Sequence, residues 1–188
     1  MKLYFLPIGS YEPHPTLPYD IDTRIARAFA EILAKEVGGT VLPPLSYSSS
    51  WEWEGSISLR IETISLLLRD LNSSIIRIGG RLIVINAHGG NVGLLDAIAR
   101  QEGFYVIHFY KACGIKPGHS GEVECNVAKA LGLIDRTCSK GSKWPREAIV
   151  KPRIELGSYD EEELEFHEVL SKIQRCAFKL ANEISKLS

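Results

Sequence analysis

The sequence predicts an α/β protein built on a mostly parallel central sheet, and three observations carry that expectation. Short apolar runs rich in Val, Ile and aromatic residues alternate with stretches of helical periodicity. The connections between successive runs are long enough to carry the chain back for parallel pairing. A length of 188 residues at 45% hydrophobic composition suits one sizeable core and is short for two, so residues 1–188 are read as a single domain.

KLYFLPIG at the start is the first strand. From Asp22 to Val37 the residues Ile25, Phe29, Ile32 and Leu33 recur at helical spacing, and Gly38 and Gly39 supply the stop. A second strand is expected over Thr40 to Leu45, a long helix over 57–76, and a buried strand over 81–87, RLIVINA. A helix from about Asn91 to Gln101, a strand at FYVIHFYK and a helix from Ser120 to Leu131 follow. From Arg136 to Asp160 the sequence reads as a loop. Between 136 and 153 it holds six basic residues against the single acid Glu147, which makes it a solvated excursion or a rim for an anionic substrate. A terminal helix over 160–188 carries Leu170, Ile173, Ala177, Leu180, Ile184 and Leu187 in one narrow stripe, suited to packing on the domain's own sheet.

Composition excludes several function classes. With 22 basic and 23 acidic side chains the net charge is −1, so no overall field recommends nucleic acid or an anionic membrane as partner. The opening apolar run ends at Pro7, too brief for a signal peptide or a membrane span, and a cytoplasmic location is expected. Cys113, Cys125, Cys138 and Cys176 form no C-x-x-C pair and are expected as reduced, buried thiols. One Met and two Gln beside abundant Ile, Leu, Lys and Glu resemble a thermophile's composition.

In an open parallel sheet, loops at the carboxyl ends of the strands converge on one crevice. Glu12 and His14 follow the first strand, His88 ends the third within NAHGGN, and His119, Glu122 and Glu124 follow the fourth within GHSGEVECN. His108 falls inside a strand and His167 on the terminal helix. A mixed imidazole and carboxylate set suits Zn²⁺, Mn²⁺ or Fe²⁺ and leaves positions open for water. Glu12 and His14, in a segment broken by prolines, can each serve a different ion, with an aspartate between the ions as bridge. Asp20 and Asp22 are both candidates for that bridge, and each also has a local use as a helix cap. Glu122 and Glu124 sit where a helix dipole favours acids. Pro13, Pro15 and Pro18 stiffen the segment. No GxGxxG, no GxxxxGK[ST] and no Gly-x-Ser-x-Gly occurs, which argues against a nucleotide cofactor and against a covalent serine mechanism.

These residues resemble the creatininase family of metal-dependent amidohydrolases. The pattern G-S-x-E-x-H, then L-P-x-x-x-D, stands here as Gly9, Ser10, Glu12, His14, Leu17, Pro18 and Asp22; N-x-H-G-G-N as Asn86, His88, Gly89, Gly90 and Asn91; and H-x-G-E-x-E as His119, Gly121, Glu122 and Glu124. YSSSWEWEGSISL at 47–59 echoes a fourth motif. The resemblance implies a three-layer α/β/α fold, a small-molecule substrate, a homo-oligomer and two divalent ions. Glu12 and His88 would hold one ion, His14 and Glu124 the other, with Asp22 as bridge. His119 and Glu124 would be catalytic, His119 stabilising or protonating the reacting amide. The sequence departs from the family pattern in places: Thr16 and Trp53 stand where the family has histidines, and Gly90 where creatininase has an acid, which argues against creatinine. The expectation is an amidohydrolase of a non-peptide C–N bond, with a formylaminopyrimidine nucleotide as candidate substrate. The alternatives are a peptidase of the same family or a scaffold without turnover.

Overall fold

Alternation along the strands decides which side chain meets which layer. In β1 (Lys2–Ile8), Leu3 and Phe5 join one buried cluster while Leu6 and Ile8 join another. β3 (Gly80–Asn86) divides the same way, with Ile83 and Ile85 on one side and Leu82 and Val84 on the other. Both faces are therefore covered, as period-two side chains in a central parallel strand require. The computed structural model describes residues 1–51, 53–138 and 163–187. The remaining elements are α1 (Ile21–Val37), β2 (Thr40–Val41), α2 (Ile61–Arg77), α3 (Val92–Glu102), β4 (Tyr105–His108), α4 (Phe109–Cys113), α5 (Glu122–Ala130) and α6 (Phe166–Ser185).

The four strands pair in the order β2-β1-β3-β4, all parallel. From β1 the chain moves outward to β2 through α1, then returns past β1 and steps the other way through α2 and α3. Right-handed crossovers in opposite directions put their helices on opposite faces. Accordingly α1 packs in one cluster with α5 and α6, and α2 and α3 pack in the other. The order reverses between β1 and β3, which is where a crevice opens at the strand ends. Register lines up Ile8, Asn86 and His108 across β1, β3 and β4, so the segments after them leave from one edge.

α1 buries Ile21, Ile25, Ala26, Phe29, Ala30 and Leu33, an apolar stripe of helical period. It stops where Gly38 adopts φ 72° and donates its N–H to the chain near Ala34. Gly9, just past β1, lies tight against α1: a Cβ there would lie 2.1 Å from the Thr23 nitrogen. The expected strand at FYVIHFYK is strand only to His108, and Phe109 starts α4, because the Phe109 ring turns into the core against Phe29 at 4.8 Å between centroids.

Two further expectations change. The stripe of α6 rests on α1, α4 and α5 rather than on the sheet, with Val169, Ile173, Cys176, Ala177, Ala181 and Ile184 buried. The cysteines are not reduced: Cys113 bonds Cys176 and Cys125 bonds Cys138, with Cα separations of 5.0 and 5.7 Å. The packing of α6 on α4 brings together partners 63 residues apart, and the segment after α5 returns to it to join partners 13 residues apart, juxtapositions that sequence spacing does not display. Most of the basic stretch, from 139 onward, lies outside the described residues. No helix among the described residues is long and apolar enough to cross a membrane.

Candidate metal centre

The segment after β1 folds back on itself before α1 begins. Its turns are held by Glu12 N–H to Tyr19 O at 3.1 Å and Leu17 N–H to His14 O at 3.3 Å. This return brings Asp22, in the first turn of α1, beside Glu12 and beneath the end of β3. Asp20 points outward to an exposed ion pair with Arg24 at 2.8 Å, whereas Asp22 is buried and accepts from Ser10 Oγ at 2.8 Å. The two aspartates are thereby separated by location.

Glu12, His14, Asp22, His88 and Glu124 are each no more than 4% exposed. Glu12 Oε1 lies 3.4 Å from His88 Nδ1, 3.6 Å from His119 Nδ1 and 4.0 Å from His14 Nε2. His14 Nε2 is 3.6 Å from Glu124 Oε2, and His88 Nδ1 is 3.0 Å from Asp22 Oδ2. Among the described residues three triads offer ligand atoms within 4.8 Å of one another: Glu12, Asp22 and His88; His14, Asp22 and Glu124; and Glu12, His14 and His119. The first two share Asp22. Glu122, half-buried two residues earlier in α5, belongs to none of them.

One pattern unites the three histidines. Each places one ring nitrogen against a backbone carbonyl: His14 Nδ1 on Glu12 O at 3.0 Å, His88 Nε2 on Ser49 O at 2.9 Å and His119 Nε2 on Pro13 O at 2.9 Å. A carbonyl only accepts, so that nitrogen carries the proton and the other presents its lone pair to the carboxylates. Lone pair facing carboxylate is repulsive in a buried site unless a cation or an added proton lies between them. Glu12 Oε2 and His14 Nε2 are moreover buried without a hydrogen-bond partner. The residues fit divalent metal ions, whose histidine ligands are held by their second nitrogen in this manner.

The electrostatics of the cluster point the same way. Burial disfavours charge on His88, but Glu12 and the bond to Asp22 outweigh it and raise the imidazole well above its ordinary value. His14 is raised likewise, its burial overcome by Glu124, Asp22 and Glu12. Burial pushes Glu124 up to about 8, with Asp22 and Glu12 adding to the rise and His14 and the Ser120 amide opposing it. Asp22 stays low despite burial because His88, His14 and the Ser10 hydroxyl favour its charge. His119 moves the other way, lowered by burial and by the charge of His14.

Trp53, 5% exposed, lies over the His119 ring at 4.0 Å between centroids and 18° between planes. The loops bearing His119 and His14 are joined by Thr16 Oγ1 to Ser120 O at 3.3 Å, and Ser120 sits at φ 55° with its N–H on Glu124 Oε2 at 2.8 Å. Tyr110 brings a buried hydroxyl without a hydrogen-bond partner; burial and the charges of Glu124 and Asp22 push it well up. Sequence reading gave no role to Tyr110, which it placed in a strand. The one signal for it was its position just beyond a strand's carboxyl end.

Comparisons with known proteins identify the family. A family model described as creatininase, creatinine amidohydrolase, matches residues 1–161. A mycofactocin precursor peptide peptidase from Mycobacterium ulcerans is 36% identical, covering 65% of this chain and 55% of its own. A 2-amino-5-formylamino-6-ribosylaminopyrimidin-4(3H)-one 5'-monophosphate deformylase from Methanothermus fervidus is 32% identical over 69% of this chain and 56% of its own. The chain thus spans somewhat more than half the length of these curated relatives. A solved structure described as "Creatininase Mn" superposes with TM-score 0.68 at 18% identity, covering 98% of this chain and 90% of that one, and shares its fold. All three triads fall inside the span matched by the family model, and on that match the chain belongs to the creatininase family.

Proposed function

We propose that this protein is a metal-dependent hydrolase of an amide C–N bond, working on a small molecule at a dinuclear centre. The observation that carries the reading is the set of three imidazoles, two buried and His119 nearly so, each anchored through one nitrogen to a backbone carbonyl with the other turned on Glu12, Asp22 or Glu124. Glu12, Asp22 and His88 would hold one ion, and His14, Asp22 and Glu124 the other. Two Zn²⁺, Mn²⁺ or Fe²⁺ ions, when bound, supply Lewis-acid polarisation of a carbonyl and acidification of a water.

The chain's own residues do the rest. Ser10 and the first turn of α1 fix the Asp22 carboxylate, and Ser49 O fixes the His88 ring. His119, lowered in pKa and therefore neutral near pH 7, presents Nδ1 toward the cluster while Trp53 covers its face. From there it can take a proton from a water or return one to the leaving amine.

A formamide is the substrate class expected from the sequence. Cleavage of a peptide is the second reading, favoured by the higher identity to the peptidase, 36% against 32% for the deformylase. Self-association belongs to the same proposal and is supported by the exposed apolar residues Trp51, Ile57, Ile61 and Leu66; light scattering reads it directly. The test of the centre is metal content and turnover together. His88→Ala and Asp22→Asn are expected to lose at least one ion per chain and all turnover with the fold retained, whereas Asp20→Asn keeps both. Full metal content in the first two variants overturns the proposal. Formamide and short-peptide substrates, assayed side by side on the metal-loaded protein, separate the two substrate readings.

A further inference from the structure

The geometry points to His108 and Asp96 as positioning residues for this centre, acting through Asn86; the inference rests on the reading of His88 as a metal ligand. Asn86 ends β3 and is 2% exposed. Its Nδ2 donates to His88 O at 2.9 Å and to His108 Nδ1 at 3.0 Å. Its Oδ1 accepts from His88 N–H at 3.2 Å and from Asn91 Nδ2 at 3.1 Å. A side-chain amide has two N–H donors and room for two bonds at its oxygen, and all four are used. Turning the amide over would set its NH₂ against the His88 N–H and the Asn91 NH₂, so one orientation is allowed.

That orientation requires an acceptor at His108 Nδ1, and the proton must then sit on Nε2. Asp96 Oδ1 receives it at 2.9 Å, from the first turns of α3. Asp96 therefore selects the His108 tautomer, His108 selects the Asn86 orientation, and Asn86 grips the His88 backbone on both its N–H and its carbonyl. Asn91 extends the grip to the ring: its Oδ1 accepts from Ser49 N–H at 3.2 Å, and Ser49 O holds His88 Nε2. Neither His108 nor Asp96 belongs to any of the ligand triads. The sequence reading set His108 aside as a strand residue. In the structure it occupies the carboxyl end of β4, level with Asn86.

The test compares His108→Leu, His108→Asn and Asp96→Ala with the wild type in metal affinity, by competition with a chromophoric chelator using Zn²⁺ and Mn²⁺. Melting of the metal-free proteins is measured in parallel. Asn keeps an acceptor oxygen near the place of Nδ1, and Leu keeps none. The expected result is a loss of roughly 10- to 100-fold in affinity for His108→Leu, recovery to within about threefold for His108→Asn, and a loss of roughly tenfold for Asp96→Ala. Should His108→Leu not fold, Asp96→Ala, at a half-exposed position, and His108→Asn carry the comparison. Wild-type affinity in both His108→Leu and Asp96→Ala overturns the inference and leaves the centre intact. So does an equal loss in His108→Leu and His108→Asn, since a structural role would move both alike. A wild type that takes up no ion overturns the metal centre itself.

Discussion

His119 is the residue whose role the geometry divides most sharply. Its Nδ1 lies 3.6 Å from Glu12 Oε1, near enough to join a triad, yet the ring is sandwiched between Trp53 and His14 at the edge of the cluster. As a group that meets substrate, His119→Ala should retain both ions and slow hydrolysis by roughly 10²–10⁴-fold. Elemental analysis beside kcat decides it, and loss of metal in step with activity makes His119 a ligand instead. Glu124 gives a second measurement. Its folded pKa of about 8 stands above the ordinary 4.5, so the metal-free native state keeps a proton that the unfolded chain releases across that window. Stability is then greatest below the window and declines as pH rises through it. His88, raised above 6.5, declines with the same sign at higher pH, while the lowered Asp22 acts only below 3.8. Melting in chelator should therefore fall between about pH 5 and pH 8. Glu124→Gln, neutral throughout, should flatten part of that fall, and a saturating divalent ion should reverse it.

At the level of elements, the junction of β1 with α1 is the most constrained piece. A methyl group on Gly9 would stand 2.1 Å from Thr23 N and 2.4 Å from Thr23 Cα, both backbone atoms with no freedom to rotate away. Gly9→Ala should cost about 1–3 kcal/mol or more by forcing α1 outward. Because Asp22 rides on that turn, metal affinity should fall as well. Phe29→Ala, deeper in α1, should cost about 3–5 kcal/mol and leave the metal content unchanged. Thermal melts and elemental analysis of the two variants compare directly. The same junction shows what was legible in the chain before its structure. Continuous apolar runs placed β1 and β3, and helical period placed α1, within a residue or two, because the central strands are buried on both faces and the helix on one. The rule of strand ends grouped Glu12, His14, His88 and Glu124. The beginning of α4 was hidden, since FYVIHFYK is uniformly apolar and only the packing of Phe109 on Phe29 ends the strand. Trp53 over His119 was equally hidden, a contact between positions 66 residues apart that no local pattern announces.

Across the whole molecule, the disulfides were the largest departure from expectation, because pairing depends on where α4 meets α6 and where the chain after α5 turns back on it. By loop-closure entropy, the bonds spanning 63 and 13 residues should contribute about 4 and about 3 kcal/mol respectively. Melting Cys113→Ser/Cys176→Ser and Cys125→Ser/Cys138→Ser separately, against the oxidised wild type, measures each. Neither bond includes a residue of the ligand triads, so metal content should survive both. The longer bond also has a topological meaning. It turns the stretch from Cys113 to Cys176 into a covalent ring that encloses α5 and the whole of the shorter loop. Cutting any single peptide bond inside that ring linearises it without parting the molecule. A protease that nicks once between 114 and 175 should leave a single band on a gel run without reductant and two bands with it. The carboxyl-terminal helix would stay tethered to the half that carries the sheet through the cut.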